Sequence, residues 1–500
     1  METVARREFL QTLGGSVVAG AGAWAALQSL VPAKASEVAI SPDVVQFNAE
    51  MEPVVRWIEE TPRDRVLQVA SERLKGGLSF RQLLGGLFLA GIRNIKPRPV
   101  GFKFHAVMVI NSAHQLALDA PQPDRLLPFF WALDNFKSSQ AQDEKEGDWV
   151  LGPVKESDVP GPERARKQFA EAMDRWDDEA ADAAVAGLCR AAGAGEIAET
   201  LWRYGARDWQ NIGHKIIFTA QSFRTLDTIG WQHSEPVLRS LVYGLLNGGP
   251  TDSLAPYAGN QALVSQVRAD WAAGKPDSAA SSAMLETLRQ ASPADAAKMA
   301  VDLLNRGVAA SSVWDSVMLA AGELLMRQPG IVALHAVTSS NSMHYAFRAA
   351  AQDSTRLLTL LQACSWIALF REGVRSRNGL PEGPRIDQLA DGGTPESPAD
   401  PVKVLETMGK DRLQSARQVL GFAKSGQSPA RFLDAARHLV FTKGTDSHDY
   451  KFAAAAFEEF RHANAAWQPN LLAASVYYLK SASDSDSPLL ERTRQALAVL

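Results

Sequence analysis

Apolar residues recur at i, i+3 or i+4, and i+7 along most of the chain beyond residue 60, the periodicity of helices that bury one face. The pattern predicts helices over 66–74, 80–92, 104–118, 162–191, 194–204, 212–229, 234–246 and 280–290. It continues over 293–305, 312–326, 331–350, 354–373, 402–425, 430–442, 449–467 and 471–482. Alternating β-branched runs bounded by tight-turn dipeptides, the mark of strands, are almost absent. Ser292-Pro293 is a capped start with proline at the first helical position, while Gly248-Gly249-Pro250 and Pro329-Gly330 interrupt the periodic runs. The expected fold is all-α, an irregular multi-helix bundle or superhelix forming one large domain over 36–500. Two polar, Gly/Pro-containing stretches, 138–162 and 379–401, read as disordered inserts rather than lids. Neither divides the domain, because helical periodicity resumes beyond each.

With 46% hydrophobic and 22% charged residues among 500, the composition is that of an ordinary globular chain. A net charge of -4 argues against a nucleic-acid partner, which calls for a basic face. The N-terminus changes the picture more. Arg6-Arg7-Glu8-Phe9-Leu10 precedes a Gly/Ala-rich apolar stretch over 13–31, and Ala33-Lys34-Ala35 offers small residues for cleavage. This layout resembles a twin-arginine signal peptide over 1–35. It implies passage through the twin-arginine export machinery, a periplasmic or secreted product and no permanent membrane span once the signal is removed. No other stretch is expected to span a bilayer. Cys189 and Cys364 lie in apolar helical runs and read as two buried thiols rather than a disulfide. The absence of Cys-x-x-Cys and Cys-x-x-Cys-His argues against zinc ribbons, common iron–sulfur sites and covalent haem.

Candidate chemistry centres on four histidines in apolar helical contexts at near-regular intervals, His105, His214, His335 and His448. Neutral imidazole is the commonest side-chain ligand for transition metals, so these spacings suggest helices converging on a shared centre. His114 and His344 each follow a member of the set by nine residues and fall on another helix face. Thr338 lies at i+3 from His335, and Lys451 at i+3 from His448, so each pair shares a face. His-Glu-x-x-His, Gly-x-Ser-x-Gly and a Walker loop do not occur. Glu459-x-x-His462 lacks the second copy that a di-iron bundle uses.

Four segments resemble the questin oxidase-like family: FKFHAVMVINSAHQLAL, IGHKIIFTAQSFRTL, LLMRQPGIVALHAVTSSNSMHYAFR and TDSHDYKF. The resemblance implies an all-helical, oxygenase-like protein with mononuclear non-haem iron. It implies His105, His214, His335 and His448 as ligands, with Lys451 as a carboxylated lysine. Lys215 stands where the family tends to have proline, and Asn341 where a further histidine is common. The expected substrate is a small organic molecule, for instance an aromatic one, with Arg224 and Arg348 orienting an anionic group. Two alternatives stay open: a non-catalytic exported binding or scaffold protein, and a non-covalent haem protein using the same histidines.

Overall fold

Short polar side chains set many of the helix starts in the computed structural model of this protein, which describes residues 41–390 and 400–500. Ser79 opens the Phe80–Asn94 helix with a reciprocal capping box to Gln82, Asp177 accepts from the Ala180 amide, and Ser292 accepts from the Asp295 amide. Each such cap contributes about 1 kcal/mol by satisfying an amide that the helix leaves without a partner. The segment 1–35, expected as a signal peptide, lies outside the described residues.

Among the described residues there are 22 α-helices. Strands are absent from them, and one isolated bridge joins Lys275 to Val308. Residues Val45–Leu500 form one compact unit, so the expected all-α single domain is observed.

At its centre, four helices pack in a ring: His105–Leu118 against Ser447–His462, that helix against Ile331–Ala349, then His214–Ile229, and back to His105–Leu118. Close approach in the ring depends on Gly213, whose φ of +80° suits glycine and where a Cβ would come within 2.8 Å of Ser339. The long Asp353–Asn378 helix packs on the ring through Ile331–Ala349. Its segment Asp353–Arg377, with mean hydropathy 1.2, is long and apolar enough to cross a membrane, contrary to the expectation that no such stretch exists. Its most apolar window is 83% buried inside the protein, and a helix covered on all sides has the composition of a membrane span.

Several boundaries differ from the periodicity. The run 162–191 is two helices, Pro162–Arg175 and Asp178–Ala191, because Trp176 is left-handed (φ 58°) and Asp177 starts a new helix. The run 402–425 is likewise divided, with Asp411 capping Arg412–Lys424. Helix Leu127–Lys145 takes up the start of the expected insert 138–162, its polar second half having masked the pattern. The remainder of that insert is packed rather than disordered: Leu151 is buried and its amide donates to the Arg93 carbonyl at 2.9 Å. Of the second insert, residues 391–399 lie outside the described ones, while Ile386 before them is fully buried and Asp387 pairs with Arg289. Cys189 and Cys364 are free thiols, and burial pushes the Cys189 thiol up to about 12.

Candidate metal centre

The ring helices bring their N-terminal turns to one place, and each supplies a histidine there. His105 and His214 are the first residues of their helices, His448 is the second, and His335 lies one turn in. Side chains in a helix lean toward its N-terminus, so all four imidazoles project off the ends of the ring helices toward a common point. Their ligating nitrogens all lie within 4.8 Å of one another. The shared centre expected from spacing is therefore present, and this cluster can hold one metal ion.

Hydrogen bonds on the outer side fix how each ring presents itself. Nδ1 of His105 meets the Phe102 carbonyl at 2.8 Å, and Nδ1 of His335 meets the Ile331 carbonyl at 2.6 Å. Nδ1 of His214 bonds the Asn211 carbonyl, and Nδ1 of His448 bonds Asp446. Oxygens of this kind only accept, so each Nδ1 carries the hydrogen and each Nε2 keeps its lone pair. Local backbone distortion serves this arrangement: Asn211 and Ile212 are both left-handed, with φ 52° and 50°, which turns the Asn211 carbonyl back onto the imidazole. Left-handed geometry is unusual for a β-branched residue and costs on the order of 1–3 kcal/mol.

Nε2 of His214 lies 2.9 Å from Nε2 of His105 and 3.0 Å from Nε2 of His335. Nε2 of His448 is buried and has no hydrogen-bond partner. Lone pairs facing one another at these distances repel unless a cation lies between them. No protein-family model, curated protein or solved structure matches the chain. What the centre does must accordingly be argued from its own side chains.

A proton is a poor candidate for that cation. Burial, with the charge of a Lys451 ammonium and of neighbouring imidazoles, pushes His214 down to about 3 and holds His105 and His335 well below the usual histidine range. The positive ends of four helix dipoles act in the same direction. Burial also lowers His448, against the pull of Asp446. Neutral imidazoles held by outer hydrogen bonds are the form that binds transition metals.

Lys451 sits on the Ser447–His462 helix at i+3 from His448, 2% exposed, and its Nζ has no hydrogen-bond partner. Burial pushes its ammonium down to about 7, so the free amine is accessible at neutral pH. Asp446 was not singled out by the spacing. It caps the helix through the His448 amide at 2.8 Å and also orients that residue's imidazole. Asp446→Asn, which keeps an acceptor but removes the charge, is expected to weaken metal binding about 10–100-fold with unchanged helicity. Competition with a chromophoric chelator, alongside circular dichroism, measures both.

Other expected site residues lie elsewhere. Arg224 and Arg348 follow His214 and His335 by 10 and 13 residues, which places them about 15 and 20 Å further along their helices. There Arg224 pairs with Glu458 at 2.8 Å, and Arg348 lies 3.6 Å from the same carboxylate. Both therefore stand along their helices from the histidine centre, beside Glu458. Asn341 holds Glu458 and Glu459, both at 2.8 Å, and Glu459 takes the Nδ1 of His344 at 2.7 Å. His114 packs against Phe80 and Phe129. The Thr338 hydroxyl turns back to the Leu334 carbonyl instead of His335. Lys215 is fully buried, 2.9 Å from Asp208.

Proposed function

We propose that this chain is an exported metalloprotein with a mononuclear non-haem iron held by His105, His214, His335 and His448, and that it is oxygenase-like toward a small organic substrate. The contacts of His214 Nε2 with two neighbouring Nε2 atoms at 2.9 and 3.0 Å carry the reading. Around one ion at about 2.1 Å, nitrogens at right angles stand about 3.0 Å apart, whereas tetrahedral ones stand about 3.4 Å apart. The spacing favours the square or octahedral arrangement that iron takes over the tetrahedral arrangement of structural zinc. Four converging imidazoles also take the positions that a porphyrin's own nitrogens need, which argues against the haem alternative. Core histidines that only satisfy hydrogen bonds do not require facing lone pairs, which argues against the scaffold alternative.

Bound iron would supply a redox-active Lewis acid with one position left for dioxygen. The residues' part is to stay neutral, hold each Nε2 inward and keep the surroundings poor in competing protons. Lys451, as the free amine, can add to carbon dioxide, forming an N–C bond and releasing a proton; the resulting carbamate oxygen would face the centre as a fifth ligand.

The test is metal analysis and an absorption spectrum on protein purified after native export. One iron per chain, no Soret band, and dioxygen consumption in the presence of a reductant and candidate aromatic substrates are expected. Stoichiometric zinc with no dioxygen consumption would overturn the oxygenase reading, and no metal at all would overturn the centre.

A further inference from the structure

Nε2 of His448 and Nζ of Lys451 are shut off from solvent, His335 is fully buried, and His214 is 5% exposed. A metal ion therefore reaches the four nitrogens only if part of the surrounding wall moves. That wall is not equally firm everywhere.

Residues 101–103 differ from the rest of it. Gly101 is buried against the imidazole of His214, where a Cβ would lie 3.4 Å from both Nε2 and Cε1, on the edge that faces the centre. The next residue, Phe102, offers the carbonyl that meets Nδ1 of His105 at 2.8 Å. Two consecutive residues thus cover one histidine of the set and orient another.

Their own conformation is unfavourable. Gly101 and Phe102 have φ of 124° and 47°, and the left-handed region is disfavoured for a residue as bulky as phenylalanine. The Phe102 ring is 74% exposed, so burial does not offset the strain. Firm packing flanks the pair on either side. Val100 is buried beside Gly244, and Phe104 packs edge-on to Phe218 with ring centroids 4.6 Å apart.

Lys103 fastens the segment to the neighbouring helix. Its Nζ lies 2.7 Å from Asp143 and 2.7 Å from Glu146, at the end of Leu127–Lys145. Asp143 also accepts from the Lys96 and Trp149 amides, so it keeps partners when Lys103 leaves.

We propose that residues 101–103 are a strap over the histidine centre, latched by Lys103 on Asp143 and Glu146, and that its release admits the metal ion. This rests on the metal-centre reading of the four histidines. Opening breaks the two Lys103 ion pairs, turns Gly101 off His214 and withdraws the Phe102 carbonyl from His105. Closing restores all of these contacts, so the strap sets how fast the centre exchanges its ion rather than how tightly it holds it.

Two measurements on the full chain purified after export test this. The first needs no metal: diethyl pyrocarbonate, which acylates neutral imidazole, is applied to metal-stripped protein, and modification of His214 is followed by peptide mass spectrometry. Lys103→Met, which keeps the stem but loses the ion pairs, should speed this modification at least about tenfold, the factor for one charge-assisted hydrogen bond. Phe102→Asn should slow it at least about threefold, since asparagine tolerates the left-handed region. The second follows anaerobic loading with iron(II) and its removal by a chelator. Both rates should rise together in Lys103→Met and leave the affinity unchanged. Should Lys103→Met misfold by circular dichroism, Glu146→Gln, at a half-exposed side chain, should speed loading and His214 modification about two- to fourfold. His214 modification undisturbed by these latch variants overturns the strap. So does iron loading that keeps its rate while His214 is unmasked. Unmasking of His214 in a chain that binds no metal would uphold the strap as the cover of the histidines and defeat the metal-centre reading alone.

Discussion

Replacing His335 by alanine is expected to leave a folded chain that no longer retains a metal ion through dialysis. His335 is fully buried, and its Nε2 is one of the two that face His214. Sites with four such ligands bind their metal with roughly 10–16 kcal/mol, so one ligand accounts for about 3–4 kcal/mol, or about 100- to 1000-fold in affinity. In the metal-free protein the loss is smaller, because removing one imidazole also removes a repulsion between lone pairs. Metal loading should raise the Tm of the wild type, as any ligand selective for the native state does, and this increment should disappear in the variant. His114→Ala is the control, since that ring packs against Phe80 and Phe129. Full retention of metal by His335→Ala would remove the basis for a shared centre.

The second large effect runs in opposite directions with and without metal. Lys451→Met should stabilise the metal-free protein at pH 7 while weakening metal binding. In the native state burial holds the Lys451 ammonium down to about 7, against an ordinary value of 10.5. That difference costs the fold on the order of 4 kcal/mol at pH 7. Between pH 7 and 10.5 the unfolded chain binds this proton and the native chain does not, so wild-type stability should climb across that window. Lys451→Met should flatten the climb. The histidines produce a separate acid limb: their native values are lowered, so below pH 6.5 the unfolded chain takes up protons first and stability falls, for His214 down toward pH 3. That limb should persist in the variant. Urea unfolding of metal-stripped protein from pH 5 to 10 measures both limbs. A variant that is less stable, with the alkaline climb intact, would show that Lys451 is not a buried unpaired amine.

Helix content and the identity of the four histidines were legible in the sequence because each depends on local pattern. Their convergence is a property of the helix ring and has no local signature. Asp446 was missed because its role combines a cap with an orienting contact, and only the former has a sequence mark: Asp446 three residues before Asp449, which forms the capping box. For Arg224 and Arg348, face and depth along the helix are different coordinates. Spacing puts Arg224 roughly a quarter-turn off the His214 face and Arg348 on the side away from His335, and about three to three and a half turns of rise bring both to Glu458. Helix Leu127–Lys145 was overlooked because its second half is polar although Asp143 there is buried, accepting from the Lys96 and Trp149 amides.

The ring of four helices draws its histidines from positions 105 to 448. A growing chain therefore has no complete centre until synthesis has passed the Ser447–His462 helix, when nearly all of the domain has been made. The first three nitrogens can gather earlier, but the fourth arrives late and from a distant segment. A metal ion held by all four would tie the Ser447–His462 helix to the His105–Leu118 helix, closing a loop of some 340 residues in the folded state alone. Metal content would then report that the last of the ring helices has docked. A chain that stops short of His448 would identify itself by being empty.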